Sequence, residues 1–164
     1  MDISQIPSTR IHEDAIKAWK LSGLLWGAIF YIIPGFFWFL YTQTLEMNVN
    51  FILAVATSCM VIILHVFMGI ILPNIRWKRW RYEVSEKGID LQRGIIITKR
   101  TIIPINRVQH VDTAQGPIYR KYGLSSISLS TAATTHEIPA LDDETAIVLR
   151  TMISDLVRKV KEDV

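Results

Sequence analysis

Apolar and polar positions follow two different rules along this chain, and the change comes near residue 75. Leu21 to Tyr41 and Phe51 to Leu72 are apolar runs without a charged residue. As α-helices, at about 1.5 Å per residue, each is roughly 30 Å long, the thickness of a bilayer's hydrocarbon core. A charge at the centre of either would cost about 2.5–3.5 kcal/mol on insertion. Burial of both in a water-soluble core would need a wrapping that a 164-residue chain is too short to supply. The pattern predicts two transmembrane helices, 21–41 and 51–72.

The connection, Thr42 to Asn50, holds one acid and no Lys or Arg. Lys17 and Lys20 precede the first run, and Arg76, Lys78, Arg79 and Arg81 follow the second. The bias of cations toward the cytoplasm predicts that both termini are cytoplasmic and the connection is outside. Acids near the N-terminus, no small-residue cleavage site and the second apolar run argue against a secretory signal. Three parts result: a cytoplasmic segment 1–20, weakly amphipathic from Ile11 to Trp19, a hairpin 21–74, and a cytoplasmic domain 75–164.

Inside the spans, Pro34-Gly35 predicts a kink at mid-depth of the first helix. Ser58 and His65 stand seven apart and share a face of the second. His65 could serve a conduction or protonation site, or hydrogen-bond a neighbouring helix and stabilise the hairpin or an oligomer. A single histidine without an acidic partner favours the packing role.

Arg76-Trp77-Lys78-Arg79-Trp80-Arg81 closes the apolar half. Its rings suit the headgroup layer, and its cations suit anionic lipid at roughly 1 kcal/mol per basic residue. A basic-aromatic run can also bind nucleic acid or form a solvated edge strand. The apolar run directly before it favours the membrane interface.

Beyond Trp80 the period becomes two. Tyr82, Val84, Ile89 and Leu91 alternate around Lys87-Gly88, a strand, turn and strand. Gly94 breaks the next run, and Ile95-Ile96-Ile97 and Thr101-Ile102-Ile103 are β-branched strand material on either side of Lys99-Arg100. Pro104 predicts an edge or a bulge. Further strands are expected at Arg107 to Thr113, Leu124 to Ser130 and His136 to Pro139. Gly116-Pro117 opens a short helical turn over Ile118 to Tyr122 that Gly123 closes. Ala146, Leu149, Ile153, Leu156 and Val160 form one stripe of an amphipathic helix. Asp142, Asp143 and Glu144 stand at its start and Arg158, Lys159 and Lys161 near its end, as the helix dipole favours. The fold class is α+β: a two-helix transmembrane hairpin, then a small β-sandwich or barrel capped by a C-terminal helix.

Composition sharpens this only in places. Half the residues are hydrophobic and the formal charge is +3. Between 76 and 107, nine cations (Arg76, Lys78, Arg79, Arg81, Lys87, Arg93, Lys99, Arg100, Arg107) face three acids. The one cysteine, Cys59, lies in an apolar run, so neither a disulfide framework nor a Cys-based metal site is expected.

Tyr82-Glu83-Val84 with Gly88-Ile89, then Ile103-Pro104-Ile105-Asn106-Arg107-Val108-Gln109, then Gln115-Gly116-Pro117, Gly123-Leu124 and a Ser/Thr-rich strand form a specific succession. With two spans ahead of it, this resembles the bacterial pleckstrin-homology-like (PH-like) domain of small membrane proteins of the YdbS type, over nearly the whole chain. The resemblance implies two bent antiparallel sheets plugged by the C-terminal helix. It implies membership of a membrane complex with a larger protein carrying repeats of the same domain, and a role in envelope stress or antimicrobial-peptide defence. It supplies no catalytic motif.

For chemistry the chain offers little. His110 and Asp112 share a strand face and His136-Glu137 is a second pair, so a triad with Ser126 or Ser128 can be written. No nucleophile turn accompanies them. His110, Asp112 and His136 match no standard metal spacing, and Gly88, Gly94 and Gly116 form no phosphate loop. No cofactor, nucleic-acid partner or small-molecule substrate is expected. Lys87, Arg93, Lys99, Arg100, Arg107, Arg120 and Lys121 could form a basic face toward anionic lipid, or serve topology and solubility alone. The reading that results is a non-enzymatic, multi-pass protein of the bacterial cytoplasmic membrane. Its partner would be a related PH-like membrane protein or a second copy, with anionic lipid as a further contact. The rivals are a small transporter or channel component, with Ser58, His65 and the Pro34-Gly35 kink lining a path, and a hydrolase using His110 and Asp112.

Overall fold

The computed structural model describes residues 7–44 and 49–162, so residues 45–48 of the predicted connection and 1–6 of the N-terminal segment lie outside the described part. Its contacts divide the chain into two compact units, one formed by residues 19–74 and the other by the residues up to Ala18 together with 75–164.

In the first unit, helices α1 (Ala15–Ile29) and α2 (Ile32–Thr44) form one apolar rod, and α3 (Val49–Val66) starts the second. The second rod continues through a π-helical turn, Phe67–Ile71, into α4 (Leu72–Arg79). Ala15–Gln43 and Val49–Arg79 are both long and apolar enough to cross a membrane. The interruption of the first rod falls at Phe30-Tyr31, one turn before the expected Pro34-Gly35. Proline lacks an N–H and its ring crowds the carbonyl four residues back, which here is that of Phe30. The helix end tightens to meet this: Phe30 and Tyr31 N–H groups donate to Gly27 and Ala28 carbonyls at 3.1 and 3.2 Å.

The second unit holds two antiparallel sheets. In the first, β1 (Thr9–Arg10) pairs with β2 (Arg81–Ser85), which pairs with β3 (Gly88–Arg93), and β4 (Lys99–Pro104) closes the far edge. A 3-10 turn, Ile105–Arg107, leads to the second sheet of β5 (Val108–Ala114), β6 (Leu124–Thr131) and β7 (Thr135–Asp142), with α5 (Pro117–Lys121) between β5 and β6. Helix α6 (Asp143–Glu162) packs on β5, β6, β7 and the 3-10 turn. Ile89, Leu124, Ile127, Leu129, Ile138 and Ile153 are fully buried and form the heart of the core.

The recognised motifs have structural reasons. Ile105 in the 3-10 turn is buried, as are Ile103 before it and Val108 after it, so Ile-Pro-Ile-Asn-Arg-Val is the corner between the sheets. The Gln115 amide donates to the Leu124 carbonyl at 3.0 Å and to Asp143 at 2.9 Å, and the Ser125 hydroxyl donates to Asp143 at 2.7 Å. Gln-Gly-Pro and Gly-Leu thus fasten the start of α6 to β6.

Three expectations change. Ile95-Ile96-Ile97 is a loop, not a strand. Ser126, written above as a triad hydroxyl, is buried at a bulge between Ser125 and Ile127, its hydroxyl donating to the Ala114 carbonyl at 3.3 Å. The N-terminal segment is part of the domain: Ile11 is buried, and the His12 N–H donates to the Ala140 carbonyl at 2.9 Å.

Candidate functional site

The seam of the hairpin is built from small residues and two polar ones. A Cβ on Gly27 would lie 2.9 Å from the His65 ring, and one on Gly23 would lie 3.2 Å from the Gly69 Cα. A side chain at Gly27 would force the His65 ring to shift, and one at Gly23 would crowd the Gly69 backbone. The π-turn shifts the register of the second helix just beyond His65, at Gly69. Tyr31 stacks at a tilt on the His65 ring, centroids 5.6 Å apart. Ser58 accepts the Trp38 indole N–H at 3.2 Å and donates to the Ala54 carbonyl at 2.6 Å. Ser58 and His65 therefore both face the first helix, as their spacing predicts. The hydrogen bond expected for His65 is not there: both ring nitrogens are buried, with no partner among the described residues. Its packing rests on the flat ring filling the space that Gly27 leaves.

The basic junction is drawn into the domain more than its composition suggests. Trp80 is 4% exposed and packs in the domain core. The Trp77 indole donates to the Ile11 carbonyl at 3.1 Å, and the Arg10 guanidinium stacks 5.3 Å over its ring. Arg81 lies in β2. Arg76, Lys78 and Arg79 are exposed on the last turns of α4.

The seven candidate cations of the domain do not form one face. Lys87 sits at the β2–β3 turn, at the far end of β3 from Arg93. At about 3.3 Å per residue the strand puts roughly 17–20 Å between those ends. Arg100 is committed to Asp90, which is fully buried, donating from Nε at 2.8 and 3.1 Å. That bond raises the Arg100 pKa above the usual guanidinium value. Lys121 extends over the Tyr122 ring at 5.9 Å, on α5 with Arg120. Arg107 borders a groove of about 540 Å³ between the β4 edge and the β6–β7 turn. Arg93 and Lys99 are register partners at the neck of the β3–β4 loop. With Arg76 and Trp80 they line a pocket of about 310 Å³ whose one acid among the lining residues is Glu137. Partial burial, and then the charges of Arg93 and Lys99, hold His136 below the ordinary imidazole pKa.

The residues of the written triad stand apart in role. His110 and Asp112 are exposed on β5 opposite Ser130 and Ser128, and among the described residues no hydrogen bond joins acid, base and hydroxyl. No three His, Cys, Asp or Glu side chains gather as a metal site among them either.

Comparisons with known proteins agree with this architecture. The chain is 39% identical over 165 residues to UPF0699 transmembrane protein YdbS of Bacillus subtilis, covering 96% of this chain and 98% of that one. It is 25% identical over 111 residues to UPF0699 transmembrane protein YdbT of the same organism, covering 67% of this chain but only 21% of YdbT. No solved structure matches. The bacterial PH domain model matches residues 21–157, and with that match and the YdbS likeness the chain, a membrane protein with a PH-like domain, belongs to the bacterial PH domain family.

Proposed function

We propose that this chain is a non-enzymatic, membrane-anchored binding module that docks a related, larger PH-like membrane protein and touches anionic lipid as a further contact. The hairpin crosses the cytoplasmic membrane twice with the domain and both termini inside, as the cation bias supports. The observation that carries the docking is an apolar row on the outer side of α6. Ile147, Val148 and Met152 are 63, 65 and 43% exposed on a helix whose other stripe is buried in the domain. A row of this kind on a domain with a well-filled core of its own suits a protein partner. That YdbT contains a region similar to this chain within a much longer protein supports a relative as that partner. The physiological setting we assign, envelope stress or antimicrobial-peptide defence, follows the family likeness alone.

The transport reading loses support at His65, whose ring nitrogens are buried against Gly27 with no hydrogen-bond partner among the described residues. To test docking, the tagged chain is extracted from native membranes in mild detergent, and proteins retained with it are identified. The expected result is a paralogous PH-like membrane protein, lost from Ile147→Asp/Val148→Asp while the variant stays in the membrane. A chain that elutes alone at native abundance overturns the proposal.

A further inference from the structure

We propose that the β3–β4 loop, residues 94–98, dips into the boundary between headgroups and acyl chains of an anionic leaflet. Ile96 and Ile97 are the wedge, and Arg76, Arg93 and Lys99 hold lipid phosphates beside it. This rests on the membrane-anchored reading above and adds to it a particular lipid-facing element. Ile96 is 92% and Ile97 81% exposed, more than any large apolar side chain on the two long apolar helices. Water is a poor environment for two such tips side by side, and an interfacial lipid layer is a good one.

The loop has a fixed form. Gly94 takes φ +129°, and a Cβ there would come within 1.9 Å of the Ile97 carbonyl oxygen. The chain folds back tightly on Gly94, and the two isoleucines are thereby left outside the fold. Around this apolar tip the charges are arranged to match. Arg93 and Lys99 face each other across the loop's neck, and Gly94 and Ile95 line the same pocket as Arg76, Arg93 and Lys99. Three cations against Glu137 leave that pocket net positive. Arg76 stands four residues after Leu72, the last residue of the charge-free run, on helix unbroken to Arg79. An apolar tip with cations at its base is what an anionic membrane surface recognises, through acyl contact and phosphate attraction together. A protein partner would need an acidic, grooved surface to do the same.

The test uses the full chain with Cys59→Ser and Ile96→Cys, labelled with an environment-sensitive dye and placed in nanodiscs. Discs contain phosphatidylcholine alone or with phosphatidylglycerol. Expected are blue-shifted emission, quenching by lipids spin-labelled near the headgroup, and a larger shift with phosphatidylglycerol. Arg93→Gln/Lys99→Gln should erase the gain from phosphatidylglycerol, the inserted-to-free ratio falling roughly five-fold per cation removed. Ile97→Cys repeats the reading if labelled Ile96→Cys does not fold. Water-like, unquenched emission in both discs overturns the inference. So does a shift that arises only when the larger related protein is added, which would make the loop a protein contact. Partner retention by the same variants is read separately. A wet loop with the partner kept overturns this inference and leaves the docking proposal standing.

Discussion

The hairpin and the PH-like domain use the same side chains in opposite ways. In the domain, Ile127, Leu129 and Ile138 are fully buried against one another. In the hairpin, Ile32, Ile63 and Trp26 are among many large apolar residues left outside, with 6% of each span's most apolar window buried. The domain is held together by removing apolar area from water, a drive that helices surrounded by lipid would lack. The hairpin relies instead on close fit at Gly23, Gly27, Ser58, His65 and Gly69. What specifies the domain is which residues are large, and what specifies the hairpin is which are small.

That contrast can be broken at three points. The largest effect is expected from Leu129→Ala, which should cost the domain about 2–5 kcal/mol in denaturant unfolding. Ile63→Ala on the hairpin should cost no more than about 0.5 kcal/mol, its share of insertion free energy. Equal losses would mean that the hairpin is packed like a soluble core. Next comes Gly27→Ala, which pushes a methyl into the His65 ring and should cost about 1–3 kcal/mol in a detergent denaturation series. Adding His65→Ala should restore part of that loss, and simple addition of the two costs would remove the seam from the account. The smallest is at the start of α6, where Asp142 accepts the Thr145 N–H at 2.9 Å. Asp142→Ala should cost about 1 kcal/mol and Asp142→Asn much less. The hydrogen bonds from Thr145 hold the Asp142 carboxyl below its usual pKa. Its contribution is therefore full above the ordinary carboxylate pKa and is lost as pH falls through the lowered folded value. The gap in Tm between wild type and Asp142→Ala should close on acidification and not on raising the pH.

Long periodic elements were legible in the sequence: two charge-free spans, the strands around Lys87-Gly88, and the stripe of α6. What stayed hidden depends on partners far away in the chain. Thr9-Arg10 is too short to show a period, and only Tyr82 and Arg81 make it a strand. Ile95-Ile96-Ile97 has strand propensity, but Gly94 turns the chain before a ladder can form. The proline effect was read at the right residue and one turn too late. The domain cations were visible as a count. Their division into a salt bridge to buried Asp90, a pocket at the loop neck and scattered surface positions required the register of β3 on β4. The contacts of the aromatic junction were hidden for a similar reason: nothing local to Trp77 reveals a carbonyl 66 positions earlier.

Strand β1 carries one more consequence. Because residues on both sides of the apolar hairpin enter one sheet, the hairpin is an insertion within the domain and not a tag at its end. A ribosome must therefore deliver both apolar rods before the first sheet can zip closed, so the domain is completed only after the whole hairpin has been synthesised. Any route that left the two ends of the hairpin in different compartments would leave that sheet without its first strand.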